Sequence, residues 1–115
     1  MNSGSTEFYT LSKEGEFLTT EISGHKYAFK KWNWGEKNAL SIACTTVNPM
    51  NGFISFDDAR FDIGLVEKTV YKFDDGKATP FTSTEINGLD AQLGERLFRI
   101  TQKFNLVQVV ETTNL

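Results

Sequence analysis

The amino-acid sequence predicts an α+β fold in which an N-terminal β-hairpin is followed by a mostly helical bundle of three main helices plus a short helical turn. Two runs rich in β-forming residues, 16–22 and 26–32, flank the sequence Ser23-Gly24. Glycine between such runs supplies the positive φ of a tight turn, which is a hairpin signal. Further along, apolar residues recur at helical spacing after residues that can cap a helix.

The first helix is predicted to begin at a capping box and to end near Val47. Asn33 and Glu36 have the spacing at which the cap side chain accepts from the N3 amide while the N3 side chain reaches back. Asn48 and Pro49 then stop the helix. Its predicted apolar stripe consists of Leu40, Ala43, Cys44 and Val47.

The second helix is predicted to be capped by Asp57 or Asp58 and to reach Phe73. Gly64 inside it costs about 1 kcal/mol against alanine, so we expect a close packing contact there. A loop is predicted over 77–81, which contains a proline. The stripe of this helix is predicted to consist of Ala59, Ile63, Val66, Val70 and Phe73.

The clearest amphipathic helix is predicted over the last part of the chain, from an Asp90 cap to a stop at Asn105. Before it, Thr82 and Glu85 form another capping-box pattern that opens one short helical turn ending at Gly88. The stripe of the last helix recurs at i, i+4, i+7 and i+11 and consists of Leu93, Leu97, Ile100 and Phe104.

Length predicts a single domain over residues 1–115, with 1–14 as a flexible lead and 107–115 as a short final strand or a tail. The single cysteine and the lack of a membrane span or signal-peptide pattern indicate a cytosolic protein. The net charge of −3 and the pI near 5.1 argue against a nucleic-acid partner. No apolar run approaches the roughly 20 residues of a membrane span, so no membrane association is expected. The polar N-terminus lacks the basic and apolar regions of a signal peptide.

The sequence predicts neither an enzyme nor a site for a metal or cofactor. His25, the only histidine, lies in the predicted hairpin turn and has no Ser, Cys or carboxylate partner at the spacing of a catalytic motif. Cys44, the only cysteine, lies on an apolar stripe, where cysteines are usually inert. The aspartates at 57, 58 and 62 lack the spacing of an EF-hand loop and fit the start of a helix better.

Several apolar residues lie off the predicted core stripes and predict a second apolar surface for protein binding. Monomeric domains normally make such positions polar. Helices sandwiched on both sides, or single exposed hydrophobic residues, would produce the same pattern. Trp32 is expected to clamp the hairpin onto the first helix. The candidate protein-binding residues are Trp34, Ile42, Phe61, Leu65 and Phe98.

The order of motifs resembles the small tail assembly chaperones of long-tailed phages and prophages. The similarity covers residues 15 to 106, and after a hairpin it consists of 31–38 (KWNWGEKN), 58–61 (DARF), 84–89 (TEINGL), 92–98 (QLGERLF) and 104–106 (FNL). The resemblance implies a non-enzymatic protein of the host cytoplasm that binds the apolar, largely helical tape measure protein. It also implies help in recruiting tail tube protein, and a homo-oligomeric form would present repeated copies to an extended client.

Two other kinds of function fit the same sequence features. A structural component of the phage tail or connector would stay in the virion, whereas a chaperone would be absent from the finished particle. A small inhibitor would form a stoichiometric complex with an unrelated host protein. All three functions require a protein-binding surface, and they differ in the partner that it binds.

Overall fold

The computed structural model of the chain describes residues 11–106. Within this range the strands are β1 (Ser12–Glu14), β2 (Phe17–Ile22), β3 (His25–Lys30), β4 (Thr45–Val47), β5 (Ile54–Phe56), β6 (Val70–Asp74) and β7 (Lys77–Pro80). The helices are α1 (Trp34–Ala43), α2 (Asp58–Thr69), α3 (Ser83–Asn87) and α4 (Ala91–Asn105). None of these helices is long and apolar enough to cross a membrane.

The main architectural element is a five-stranded antiparallel sheet in the order β1-β2-β3-β6-β7. The predicted hairpin is confirmed as β2 and β3, which turn through Ser23 and Gly24 at φ of 51° and 82°. The predicted helical bundle is wrong, because the helices pack on a sheet that includes two strands after α2. Ser12–Glu14, assigned to the flexible lead from the sequence, is the first strand of this sheet.

The missed strands β6 and β7 replace the predicted end of the second helix and the predicted loop. Val70 and Phe73 fit helical spacing, but Val70 has the extended φ and ψ of −112° and 136°. Residues 70–73 include a valine, a tyrosine and a phenylalanine, and β-branched and aromatic residues favour strands. Asp75 and Gly76 follow with φ of 52° and 74°. This Asp-Gly pair forms a two-residue hairpin turn, because Asp74 lies opposite Lys77.

The first helix ends at Ala43, four residues before its predicted end. Its predicted capping box is confirmed: Asn33 Oδ1 accepts from Glu36 N at 2.8 Å, and Glu36 Oε1 accepts from Asn33 N at 3.0 Å. The residues that were expected to complete the helix form β4, which pairs with β5 in a separate two-stranded sheet. Thr and Val have weak helix and strong strand propensity, so tertiary pairing decides the conformation.

The core lies between one face of the main sheet and the helices α2, α3 and α4. Phe29, Val70 and Leu97 are fully buried in it. The predictions for α4 are confirmed, since Asp90 accepts from the amides of Gln92 and Leu93, and its stripe residues are buried or packed against the core. The short helix α3 and its Thr82–Glu85 capping box are also confirmed.

The buried face of α2 differs from the predicted stripe. Leu65, which was assigned to the spare apolar surface, is fully buried, while Ile63, which was assigned to the core, is 44% exposed. The difference arises because α2 packs against α1 through Gly64 as well as against α4. A Cβ on Gly64 would lie 2.5 Å from Leu40 Cδ1. The close packing contact predicted at Gly64 is therefore confirmed.

A buried polar network ties α2, α4 and the end of the sheet together. The hydroxyls of Thr69 and Thr101 are hydrogen-bonded to each other, and Asn105 Nδ2 donates to Thr101 Oγ1 at 3.0 Å. The same amide nitrogen donates to Lys30 O at 3.1 Å, while Asn105 Oδ1 accepts from Trp32 N at 3.0 Å. One side chain at the end of α4 thus fixes the strand that leads into α1.

Candidate protein-binding surface

Exposed bulky apolar side chains are concentrated in one part of the described chain. Among residues 11–106, all of the large hydrophobic residues classed as exposed, except Leu11, fall between Trp34 and Ile63. They are Trp34, Ile42, Val47, Met50, Phe53, Ile54, Phe56 and Ile63. Single exposed hydrophobic residues are common, but such a concentration in one stretch of sequence marks a candidate interaction surface.

Most of these residues belong to the hairpin of β4, β5 and their connection, residues 45–56, which we call the arm. The arm contains no charged residue. Val47 lies opposite Ile54, and Phe56 lies opposite Thr45. Because side chains of paired residues share a face and alternate along a strand, these apolar residues lie on one face of the arm. Thr46 and Ser55, which pair with each other, lie on the opposite face.

Hydrogen bonds order the tip of the arm. Asn48 Oδ1 accepts from Met50 N at 2.8 Å, and Asn51 Oδ1 accepts from Phe53 N at 2.9 Å. Asn48 N also donates to Phe53 O at 2.8 Å. With Gly52 at a φ of 74°, these bonds define the turn. Met50 is 91% exposed and Phe53 is 73% exposed, so an ordered tip presents both side chains to solvent.

The base of the arm is fastened to the helices on both sides. Asp57 N donates to Cys44 O at 2.9 Å, and Arg60 Nη1 donates to Ala43 O at 3.0 Å. The Phe56 ring packs against Phe61, with centroids 5.5 Å apart. These contacts hold the two ends of the arm together and orient it relative to α2.

The structure places the predicted binding residues in different environments. Trp34 and Ile42 are 81% and 74% exposed, and their spacing puts them about 80° apart around α1. Phe61 is half-buried, with its ring 6.0 Å from that of Trp32. The Trp32 ring therefore contacts α2, whereas the sequence led us to expect a contact between the hairpin and α1. Phe98 is half-buried against the core and lies away from the arm, in a groove described below.

Sequence reasoning missed the arm residues themselves, because 45–47 was assigned to a helix. Two signals could have revealed the arm. Asn51-Gly52 is a hairpin turn pair, and it stands between Thr-Thr-Val and Phe-Ile-Ser-Phe, both rich in strand-forming residues. A stretch of twelve residues without any charge is also unusual for a segment that the structure exposes along its whole length.

The residues considered for chemistry occupy structural positions. His25 is exposed at the start of β3, opposite Ile22. Cys44 is buried. Asp57 caps α2, where its carboxylate accepts from Arg60 N at 3.1 Å. Within residues 11–106, no group of three or more His, Cys, Asp or Glu residues could hold a metal ion.

Comparison with protein families, with curated proteins and with solved structures found no match to this chain. The geometry of the arm and the order of sequence motifs therefore carry what can be inferred about function.

Proposed function

We propose that the protein is a non-enzymatic phage tail assembly chaperone that binds the tape measure protein and assists assembly of the tail tube. The observation that carries this proposal is the uncharged arm, whose apolar face and ordered tip are exposed. The motif order given above supports the choice of client. In this proposal the protein acts in the host cytoplasm, before the tail is complete.

The arm suits a client with exposed apolar helical faces. Burying one large apolar side chain is worth about 1.5–3 kcal/mol relative to leaving it in water. Val47, Ile54 and Phe56 on one face, with Met50 and Phe53 at the tip, supply several such groups without a charge to desolvate. Such a surface would favour apolar segments over charged ones and would impose little sequence specificity.

Self-association is the second part of the proposal. A tape measure protein is long, so copies of the chaperone arranged along it would cover more of its apolar surface than one copy could. Trp34 and Ile42 on α1 are exposed outside the arm and could contact a neighbouring copy or tail tube protein. The net charge of −3 helps such an assembly remain in solution.

The structure offers a matched pair of variants to test the proposal. Val47→Asp with Ile54→Asp places two carboxylates on the apolar face of the arm, whereas Thr46→Asp with Ser55→Asp places them on its polar face. Both variants add the same charge at directly paired positions. In co-expression with the cognate tape measure protein, we expect the first variant to lose at least about nine-tenths of the co-purified client and the second to retain most of it.

Thermal unfolding of the two arm variants, measured in parallel, controls for loss of fold. Equal client binding by both variants would contradict the role of the arm. Failure of the unmodified protein to solubilise or co-purify the tape measure protein would contradict the chaperone function itself.

The same arm favours one alternative, a subunit contact in a structural component of the tail or connector. An uncharged projecting hairpin can pack between neighbouring subunits as readily as against a client. Mass spectrometry of purified particles separates the two functions. Stoichiometric amounts of the protein in the virion would replace the chaperone proposal with the structural one.

A further inference from the structure

A second surface lies apart from the arm, in a groove between α2 and α4 that the connection from α3 to α4 also lines. The groove has a volume of about 190 Å³. This is smaller than the roughly 300–1,000 Å³ of sites that enclose a small molecule, and it suits a single bulky side chain. Its apolar lining is formed by Ile63, Val66, Ile86, Leu89 and Phe98.

Carboxylates surround this apolar lining. Asp62 comes from α2, Glu95 comes from α4, and Asp90 lies at the start of α4. The Asp90 carboxylate already accepts from two amides at the start of α4. Glu95 Oε1 lies 3.7 Å from Arg99 Nη2 in an exposed pair, which is a long and therefore weak contact. Asp62 and Glu95 are thus the carboxylates best placed to meet a ligand.

No lysine or arginine is among the described residues that line the groove. Partial burial, followed by the nearby carboxylates of Asp58 and Glu95, raises the pKa of Asp62 above its ordinary value. A cation placed at the groove mouth would relieve this repulsion. A ligand that fits both the apolar lining and the carboxylates must therefore combine a bulky apolar group with a positive charge.

We propose that the groove between α2 and α4 binds a polypeptide segment that places a lysine or arginine beside a bulky apolar side chain. The apolar side chain would contact Phe98 and Val66, while the cation would pair with Asp62 and Glu95. The arm has no charge and cannot select such a segment, so the two surfaces recognise different features of their partners. This inference does not depend on the tape measure protein being the client of the arm.

A synthetic helical peptide with leucines on one face and flanking lysines is the probe for this groove. We expect it to bind the full-length protein and to shift the backbone amide resonances of Ile63, Val66 and Phe98 in ¹⁵N-labelled protein. Replacing its lysines by glutamate, or its leucines by serine, is expected to weaken binding at least about tenfold. Shifts confined to residues 45–56, or equal binding by the glutamate peptide, would overturn the inference.

Charge variants separate the groove from general attraction to an acidic protein. Asp62→Asn with Glu95→Gln should weaken peptide binding about tenfold. Glu16→Gln with Glu21→Gln removes the same charge from exposed positions in and beside the main sheet and should leave binding unchanged. An equal loss in both double variants would show non-specific attraction and would overturn the site.

A groove-filling variant tests the apolar half of the site without changing any charge. Gly94 lines the groove, and a Cβ there meets only Leu89 Cβ at the ordinary contact distance of 3.9 Å. Gly94→Met should therefore fold and should block peptide binding, whereas Gly94→Ala should retain most of it. In the Val47→Asp, Ile54→Asp arm variant, the peptide should still shift the amide resonances of Ile63, Val66 and Phe98. Normal peptide binding by Gly94→Met would contradict the assignment of the groove.

Discussion

The sheet with its packed helices and the segment from α1 to the start of α2 use apolar residues in opposite ways. In the first region, Phe29, Leu65 and Leu97 are fully buried and a polar network links α4 to the sheet. In the second region, Met50 is 91% exposed and Ile54 is 71% exposed. Both residues lie on the arm, which is held by local hydrogen bonds. The comparison indicates that the first region supplies stability, while the second leaves apolar surface exposed to solvent.

The largest expected effect is on the free energy of unfolding, when a leucine of the first region and an isoleucine of the second are each truncated to alanine. Leu97→Ala removes a fully buried side chain and should lower the free energy of unfolding by about 2–5 kcal/mol. Ile54→Ala removes a side chain that is 71% exposed and should change it by less than about 0.5 kcal/mol. Chemical denaturation measures both values. Similar losses in the two variants would mean that the arm contributes to the core after all.

A smaller effect is expected from two glycine substitutions in helices. Gly64→Ala places a Cβ 2.5 Å from Leu40 Cδ1, and the repacking should outweigh the gain in helix propensity, with a net loss of about 1 kcal/mol. Gly94→Ala meets only an ordinary contact and should gain up to about 1 kcal/mol. The midpoints of denaturation should therefore move in opposite directions. A stabilising Gly64→Ala would show that α1 packs loosely on α2.

The smallest expected effect is on how the stability of the fold depends on pH. Asp62 and Glu85 should contribute with opposite signs. The pKa of Asp62 is raised, so its stabilising contribution is present below its ordinary pKa of 3.8 and is lost as pH rises through the folded-state value. Asp62→Asn should thus be more stable than the parent at pH 7, by less than about 1 kcal/mol at this exposed position. The two proteins should become equal at pH 3.

Glu85 provides the matched comparison. Its hydrogen bond with Lys72, together with the Thr82 amide, lowers its pKa below the ordinary 4.5. Its contribution is present above that ordinary pKa and is lost as pH falls through the folded-state value. Glu85→Gln should therefore be less stable than the parent at pH 7, with the difference shrinking in acid. Thermal unfolding at the two pH values would contradict this account if both variants shifted in the same direction.

Local chemistry made part of the fold predictable. The caps at Asn33, Thr82 and Asp90 were predicted correctly because each depends on a side chain and amides within three residues. The β2–β3 hairpin was predicted because strand-forming runs flank a Ser-Gly turn. Strand β6 was missed because Val66, Val70 and Phe73 satisfy a helical period, whereas Val70 pairs with β3 and Phe73 pairs with β7.

The candidate site was only partly predictable for a related reason. Trp34 and Ile42 were recognised as spare apolar residues, and both are exposed. Leu65 was misassigned because helical spacing gives only the angle of a side chain, not which side another helix will cover. The arm depends on the pairing of 45–47 with 54–56. The helical spacing of apolar residues, from which 45–47 was assigned to α1, gives no information about strand pairing. The proposals for Phe61 and Phe98 as binding residues remain predictions.

The hydrogen bond from Asp57 N to Cys44 O has a consequence for how the molecule could diversify. This bond places the residue before the arm next to the residue after it, so the two ends of residues 45–56 lie close together. Hairpins of other lengths and compositions could be grafted at this point without disturbing the strands and helices below. Chains that differ in this hairpin could then expose different surfaces while sharing the same sheet and packed helices.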